Sequence, residues 1–398
     1  MNHEGHEGTR RLVEHRWHYW ISLFLCAALV PVLRSQGLPL KFDWLTLGVA
    51  YWIVLAAQSI FVAALLAVIG LPGQQVWRPF LARYREQPLR IVALILYFGI
   101  LTWTAGWVKA LVLTVDAIAL LELRDRSTGI LPDVAGGLRR AGPAIFAPAV
   151  YLFFGFLMVL AYNSAIVSVR SNFAYDPALA AIDRFLLRGQ SVSDIAHWAV
   201  GTLPLAFFRV LEFIYFGMFP QIGAALILVV LSDGRTRGLQ FVGTILMSYY
   251  LALILFYLWP AQGPYYLCPE HFSRFPAALQ SYNIQKTLIA HALARWRHEP
   301  LARISTDYYI GLPCMHIAQP LVVMWFLRRW KRMVIALAAY DFFLITAVVL
   351  LEWHYLIDII AGIFVAALAI GITKGTFRRQ NAEAHESPAG ASGPGTSG

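Results

Sequence analysis

Apolar runs of roughly 18 residues or more, each long enough to cross a bilayer, recur along this chain and leave few architectures open. A backbone in hydrocarbon must satisfy its own hydrogen bonds, so such runs fold as spanning helices. They fall at 20–33, 44–70, 91–121, 143–167, 207–231, 239–259, 310–327, 334–351 and 354–372. The stretch 91–121 would reach ~45 Å as one helix against ~30 Å of hydrocarbon, so it is a tilted helix or a span plus a re-entrant piece. The expectation is an all-α, polytopic membrane helix bundle of roughly nine or ten spans.

Composition agrees. The chain is 59% hydrophobic and 14% charged, where a soluble domain carries about a quarter charged residues. The net charge of +10 resides in short loops, the pattern of topology signals and of contact with anionic lipid heads. A nucleic-acid partner is not expected, since no soluble module would carry it. Nor does any segment demand a protein partner. Cys26, Cys268 and Cys314 have neither a disulfide framework nor a metal spacing.

Three segments follow: 1–141, an N-terminal transmembrane extension; 142–373, a catalytic core of about six spans; and 374–398, a Gly-, Ser- and Ala-rich tail expected to be disordered. Placing the clusters Arg328, Arg329, Lys331, Arg332 and Lys374, Arg378, Arg379 on the inner side orients the bundle. Arg235 and Arg237 then fall inside too. The amphiphilic loop 170–194, the long loop 260–309 and the starts of spans 310–327 and 354–372 share the outer face. Ser191 and Asp194 have the spacing to cap the helix after them.

Two strings on that face carry chemistry. The first is GLPCMHIAQP at 311–320 and the second LEWHYLIDIIAG at 351–362. Ionisable groups at membrane depth are costly, which makes function the default reading. His354 and Asp358 are four apart and share a helix face. A carboxylate there can hold one ring nitrogen and leave the other free as nucleophile or base. His316 lies in the first turn of its helix behind Gly311 and Pro313, where unpaired amides attract anions. The set suits covalent phosphoryl transfer through a histidine. Two histidines and a carboxylate can also hold a metal, but a helix start suits an anion better, so no metal or cofactor is expected.

These residues resemble the type 2 phosphatidic acid phosphatase superfamily, which has a proline-serine-x-histidine string and a later histidine-x-x-x-aspartate string. Here they read Pro313-Cys314-Met315-His316 and His354-Tyr355-Leu356-Ile357-Asp358. The resemblance covers about 143–372. It implies His354 as nucleophile, Asp358 as its orienter and His316 as general acid/base. It also implies a bacterial inner-membrane protein with its site on the periplasmic face. Cys314 replaces the serine, and Val348 stands where the main branch has an arginine. The main branch's lysine-and-arginine phosphate clamp is missing.

The branch with fungal inositol phosphorylceramide synthase also lacks these arginines and keeps a His-Tyr-x-x-Asp string. Its bacterial relatives are similar to this chain at Pro260 to Pro264 and at the acidic-hydrophobic loop from Asp176 to Asp183 and Arg184. The resemblance therefore implies a lipid phosphotransferase acting on a membrane lipid. A lipid phosphate or polyprenyl diphosphate phosphatase using the same histidines is the alternative. A transporter or scaffold is a third reading. Asp176, Asp183 and Arg184 are candidates for head-group contact or, equally, parts of an interfacial helix. Cys314 is a candidate substrate contact. Arg303, Lys286 and Arg274 are candidates for the missing clamp, and each is also readable as a solvated loop charge.

Overall fold

The computed structural model describes residues 130–170, 175–267, 278–297 and 309–386, with six scattered helical positions between 55 and 66. The N-terminal spans up to 121, Cys26, Cys268, Arg274 and Arg303 lie outside the described residues.

All the regular structure among the described residues is helical. The elements are α1 (Ile130–Val169), α2 (Asp176–Leu186), α3 (Val192–Thr202), α4 (Leu205–Phe216), α5 (Met218–Leu258), α6 (Pro264–Leu267), α7 (Gln280–Trp296), α8 (Met315–Leu327), α9 (Lys331–Leu350) and α10 (Leu356–Glu386). Among the described residues, four helical stretches are long and apolar enough to cross a membrane: Gly142–Val167, Leu205–Leu258, Lys331–Leu350 and Leu356–Thr376.

The second of these is too long for one crossing. The 41 residues of α5 would reach about 60 Å at 1.5 Å per residue, twice the hydrocarbon thickness. Gly234 breaks it with φ 80° and ψ 179°, a backbone that glycine reaches without a Cβ penalty. The break separates the two expected spans 207–231 and 239–259. The basic residues around it meet those of other helices. Arg329 pairs with Asp233, Arg237 lies 4.4 Å over the Phe326 ring and Lys374 5.8 Å from the Trp325 ring. Arg237, Arg329 and Lys374 thus come together at one end of the bundle.

α5 forms the axis of the core, packed against α1, α8 and α10, while α4 packs on α9. Polar groups at membrane depth are joined in pairs. Gln319 donates to the Ser248 hydroxyl at 2.8 Å, Gln221 donates to Asp341 at 3.2 Å, and the Thr244 and Thr373 hydroxyls lie 2.9 Å apart. Such pairing is the alternative to an unsatisfied group in hydrocarbon.

Three expectations need correction. The loop 170–194 contains the helix α2 and the start of α3; the predicted Ser191–Asp194 capping box opens the latter. The long loop 260–309 contains α7, whose Gln, Lys, Ala and Leu residues are good helix formers without the hydrophobicity of a span. The stretch 310–327 is helical only from Met315. Its first residues are non-helical, bending at Leu312 and Pro313 across a cis bond, and their backbone groups are bonded to other segments. Pro313 therefore precedes the helix and is not in its first turn. At the C-terminal end α10 continues to Glu386, past the boundary drawn at 373.

α2 lies across the end of the bundle opposite the basic clusters. Its carboxylates Asp176 and Asp183 are buried, while Ile182, Phe185 and Leu186 are exposed, Phe185 by 85%. It is an amphipathic helix with its polar hooks turned inward.

Candidate active site

The two histidine strings meet backbone to backbone. The Cys314 amide donates to the Asp358 carbonyl at 2.9 Å, and a Cβ on Gly362 would collide with the Cys314 carbonyl. α8 and α10 can approach this closely because position 362 has no side chain. Gly311 serves a similar close approach. Its amide donates to the Ala261 carbonyl at 2.9 Å, and a Cβ there would stand 2.6 Å from the same oxygen.

His354 lies in the turn between α9 and α10 and is buried. Its Nδ1 is 2.7 Å from the Gly311 carbonyl oxygen and 3.5 Å from Asp358 Oδ2. A carbonyl only accepts, so Nδ1 carries the proton and Nε2 is left for chemistry. Asp358 is thus the second of two orienting groups; sequence reasoning assigned it the whole task. Its Oδ2 also accepts the Tyr355 amide at 2.8 Å, which caps the start of α10. Burial works against the His354 charge, but Cys314 and Asp358 beside it outweigh that and lift its pKa to about 10.

His316 is the second residue of α8, as expected. It is only 8% exposed, and neither ring nitrogen has a hydrogen-bond partner among the described residues. The Tyr215 ring stacks on it at 4.0 Å, and Trp353 stacks on the far face of Tyr215 at 5.0 Å. The His316 and His354 rings are 5.9 Å apart, centre to centre. Donor atoms of Cys314, His316 and His354 all lie within 4.8 Å of one another.

The aspartates of α2 act as clamps on this assembly. Asp176 accepts the amides of Gln262 at 3.0 Å and Gly263 at 2.9 Å and the Tyr355 hydroxyl at 3.1 Å. Burial lifts its carboxyl to about 7, while those amides and the hydroxyl pull it down. Asp183 accepts the Leu356 amide at 3.0 Å, one of the donors that the first turn of α10 leaves over. Burial raises it to about 6 against the pull of that amide. The acidic segment, the Pro260–Pro264 string and the second histidine string, far apart in sequence, are therefore one hydrogen-bonded unit. The lone pairs that would greet a head group are engaged by backbone. Arg184 is exposed on the flank of α2, roughly a quarter-turn from the two carboxylates, and Lys286 is exposed on α7.

The charged and polar neighbours that shift His354 are Cys314 and Asp358, with no lysine or arginine among them. Val348, at the position of the superfamily's arginine, is fully buried, and its carbonyl accepts the amides of Trp353 at 2.9 Å and His354 at 3.3 Å. Position 348 thus abuts His354 and carries no charge. Sequence reasoning missed three contributors: Tyr215, Trp353 and the Gly311 carbonyl. The last two lie inside the quoted strings, whereas Tyr215 is an aromatic in an apolar helix with no motif to mark it.

The comparison with known families decides the class. Residues 178–372 match the PAP2 superfamily. This stretch is a PAP2 superfamily domain. The PAP2 match holds both histidine strings, and it makes the protein an enzyme of phosphate-ester chemistry, a phosphatase or phosphotransferase. It starts inside α2, later than the 143 expected from sequence. No curated protein and no solved structure matches the chain.

Proposed function

We propose that this chain is an integral-membrane lipid phosphotransferase of the inositolphosphotransferase-like type, moving a phospho-head-group between lipids through a phosphohistidine. The observation that carries the reading is the disposition of the two rings. His354 has Nδ1 anchored on Gly311 and Asp358, and the His316 ring, both of its nitrogens unengaged, is centred 5.9 Å away.

In the first half-reaction His354 Nε2 attacks phosphorus. The N–P bond forms as the P–O bond to the leaving alkoxide breaks, and His316 gives that oxygen its proton. In the second half an acceptor hydroxyl gives its proton to His316 and attacks phosphorus, and the N–P bond breaks. Gly311 and Asp358 stabilise the positive charge that His354 develops. Asp176 and Asp183 are positioning residues that hold Tyr355 and Leu356 around it. Cys314 lies beside the phosphoryl group, and Arg303 is proposed to reach it from the 260–309 segment.

The rings must part for this. Reacting atoms stand about 3–3.5 Å apart before attack, and a hydrogen bond to the leaving oxygen adds about 2.7 Å. With the P–O bond between them, nitrogens flanking a phosphoryl group in line are therefore roughly 7 Å apart, beyond the 4.8 Å within which the donor atoms lie.

The uncharged surroundings of Val348 favour transfer over hydrolysis, because a phosphodiester brings less charge to be neutralised than a monoester. Purified protein in detergent–lipid micelles should convert labelled phospholipids into a new phospholipid only when a lipid alcohol such as ceramide or diacylglycerol is supplied. Inorganic phosphate released at the same rate with or without acceptor would instead establish a lipid phosphatase. His316→Ala and His354→Ala should each abolish turnover in a folded protein; activity retained in either refutes the mechanism.

A further inference from the structure

We propose that Cys314, His316 and His354 form a binding site for a thiophilic divalent cation of the Zn2+ type, and that the metal closes the active site by taking both histidines. The inhibitory consequence rests on the functional reading above; the coordination itself does not.

Three donors from two chain segments converge in a buried cluster, within 4.8 Å of one another. Zinc–sulfur bonds near 2.3 Å and zinc–nitrogen bonds near 2.0–2.1 Å put tetrahedral ligands about 3.3–3.7 Å apart. The cluster needs to contract by about 1 Å to bind the metal, whereas phosphoryl transfer requires it to open. Two features favour contraction. His316 is more than nine-tenths buried with neither nitrogen bonded among the described residues, and Tyr215 fixes its ring plane. His354 donates Nδ1–H to a backbone carbonyl, the outer bond that fixes the tautomer of a metal-ligating histidine and exposes Nε2.

The cysteine sets the choice of metal. A hydroxyl at position 314 would be a weak, hard ligand, whereas a thiolate selects zinc and softer ions over magnesium. On binding, the Cys314 thiol loses its proton to solvent and the S–Zn bond forms; each neutral imidazole donates a lone pair. The fourth position stays open for water or a phosphate oxygen.

The test uses the full chain in detergent–lipid micelles after chelator treatment, with Cys26→Ser and Cys268→Ser so that Cys314 is the one thiol. Co2+ should bind one per chain and give thiolate-to-cobalt charge-transfer absorption. Zn2+ should abolish the band by displacement and Mg2+ should leave it. At one equivalent of zinc, X-ray absorption of the unmodified chain should find one sulfur and two imidazole nitrogens, a readout independent of any variant's folding. Zinc should also suppress lipid turnover at least about tenfold, reversibly with chelator. Absence of the band, a zinc shell without sulfur, or cobalt affinity unchanged in His316→Asn each overturns the site. Metal bound as described in a chain with no turnover even under chelator supports the site and refutes the functional reading instead.

Discussion

The amide of Cys314 donates to the carbonyl of Asp358 at 2.9 Å, so the helix that carries His316 and the helix that follows His354 start from one shared backbone bond. Gly362 lies against the same Cys314 carbonyl. The separation of His316 and His354 therefore depends on a residue with no chemistry of its own. Gly362→Ala should drive α8 and α10 apart. Overpacking of this kind costs about 1–3 kcal/mol, and turnover should fall more than stability. Parallel thermal unfolding and rate measurements check this; an alanine variant with normal turnover would show that the close approach does not set the geometry.

Asp358 beside His354 predicts a pH signature. With its folded-state pKa at about 10, His354 is largely protonated at neutral pH, and only its neutral form attacks phosphorus. The rate should therefore climb with pH well above the ordinary histidine value of about 6.5. Cys314 and Asp358 together hold the proton; Asp358→Asn removes the second of them, so the rising limb should move part of the way to lower pH while the maximal rate drops about a hundredfold or more. A pH–rate profile of both proteins decides it; a limb that stays in place in the asparagine variant counts against the pairing.

Asp183 holds the start of α10 through the Leu356 amide. Loss of such a cap costs about 0.5–2 kcal/mol, so Asp183→Ala should lower the unfolding temperature. Asp183→Asn keeps an acceptor and should not. The sign with pH follows from the raised carboxyl, at about 6 in the fold against about 3.9 unfolded. The fold favours the protonated form. That stability is fully present below about pH 4 and is lost as pH rises through 6. The wild type should thus lose stability relative to Asp183→Asn between pH 4 and 7 in a thermal melt series.

Tyr215 stacks between His316 and Trp353. Aromatic stacks contribute about 0.5–1.5 kcal/mol beyond burial. Tyr215→Phe preserves the stack and should leave turnover within about twofold, while Tyr215→Leu frees the His316 ring and should cost about tenfold in kcat. Equal losses in the two variants would assign the hydroxyl, not the ring, as the working part.

The histidines and Asp358 were legible in the sequence because ionisable residues in an apolar run stand out and their spacing has a helical meaning. The common face was legible because lysine and arginine bias orders the loops. The role of Asp176 was not. A carboxylate in an amphiphilic segment looks the same whether it meets a head group or, as here, the amides of Gln262 and Gly263, since those partners lie more than eighty residues away. The helix α7 escaped for a related reason: its polar and apolar residues alternate without the long run that marks a span. Tyr215 was hidden by its neighbours, being one aromatic among many in an apolar helix.

The amphipathic helix α2 turns Phe185 and Ile182 outward and, two or fewer residues away, fastens Asp183 to the amide of Leu356, itself two positions past the nucleophile. One short rod thus has a side suited to acyl chains and a side bonded to the reaction centre. Asp176 and Asp183 both tie that inner side to the turn before α10, so whatever seats the apolar side of the rod also bears on where the His354 turn sits.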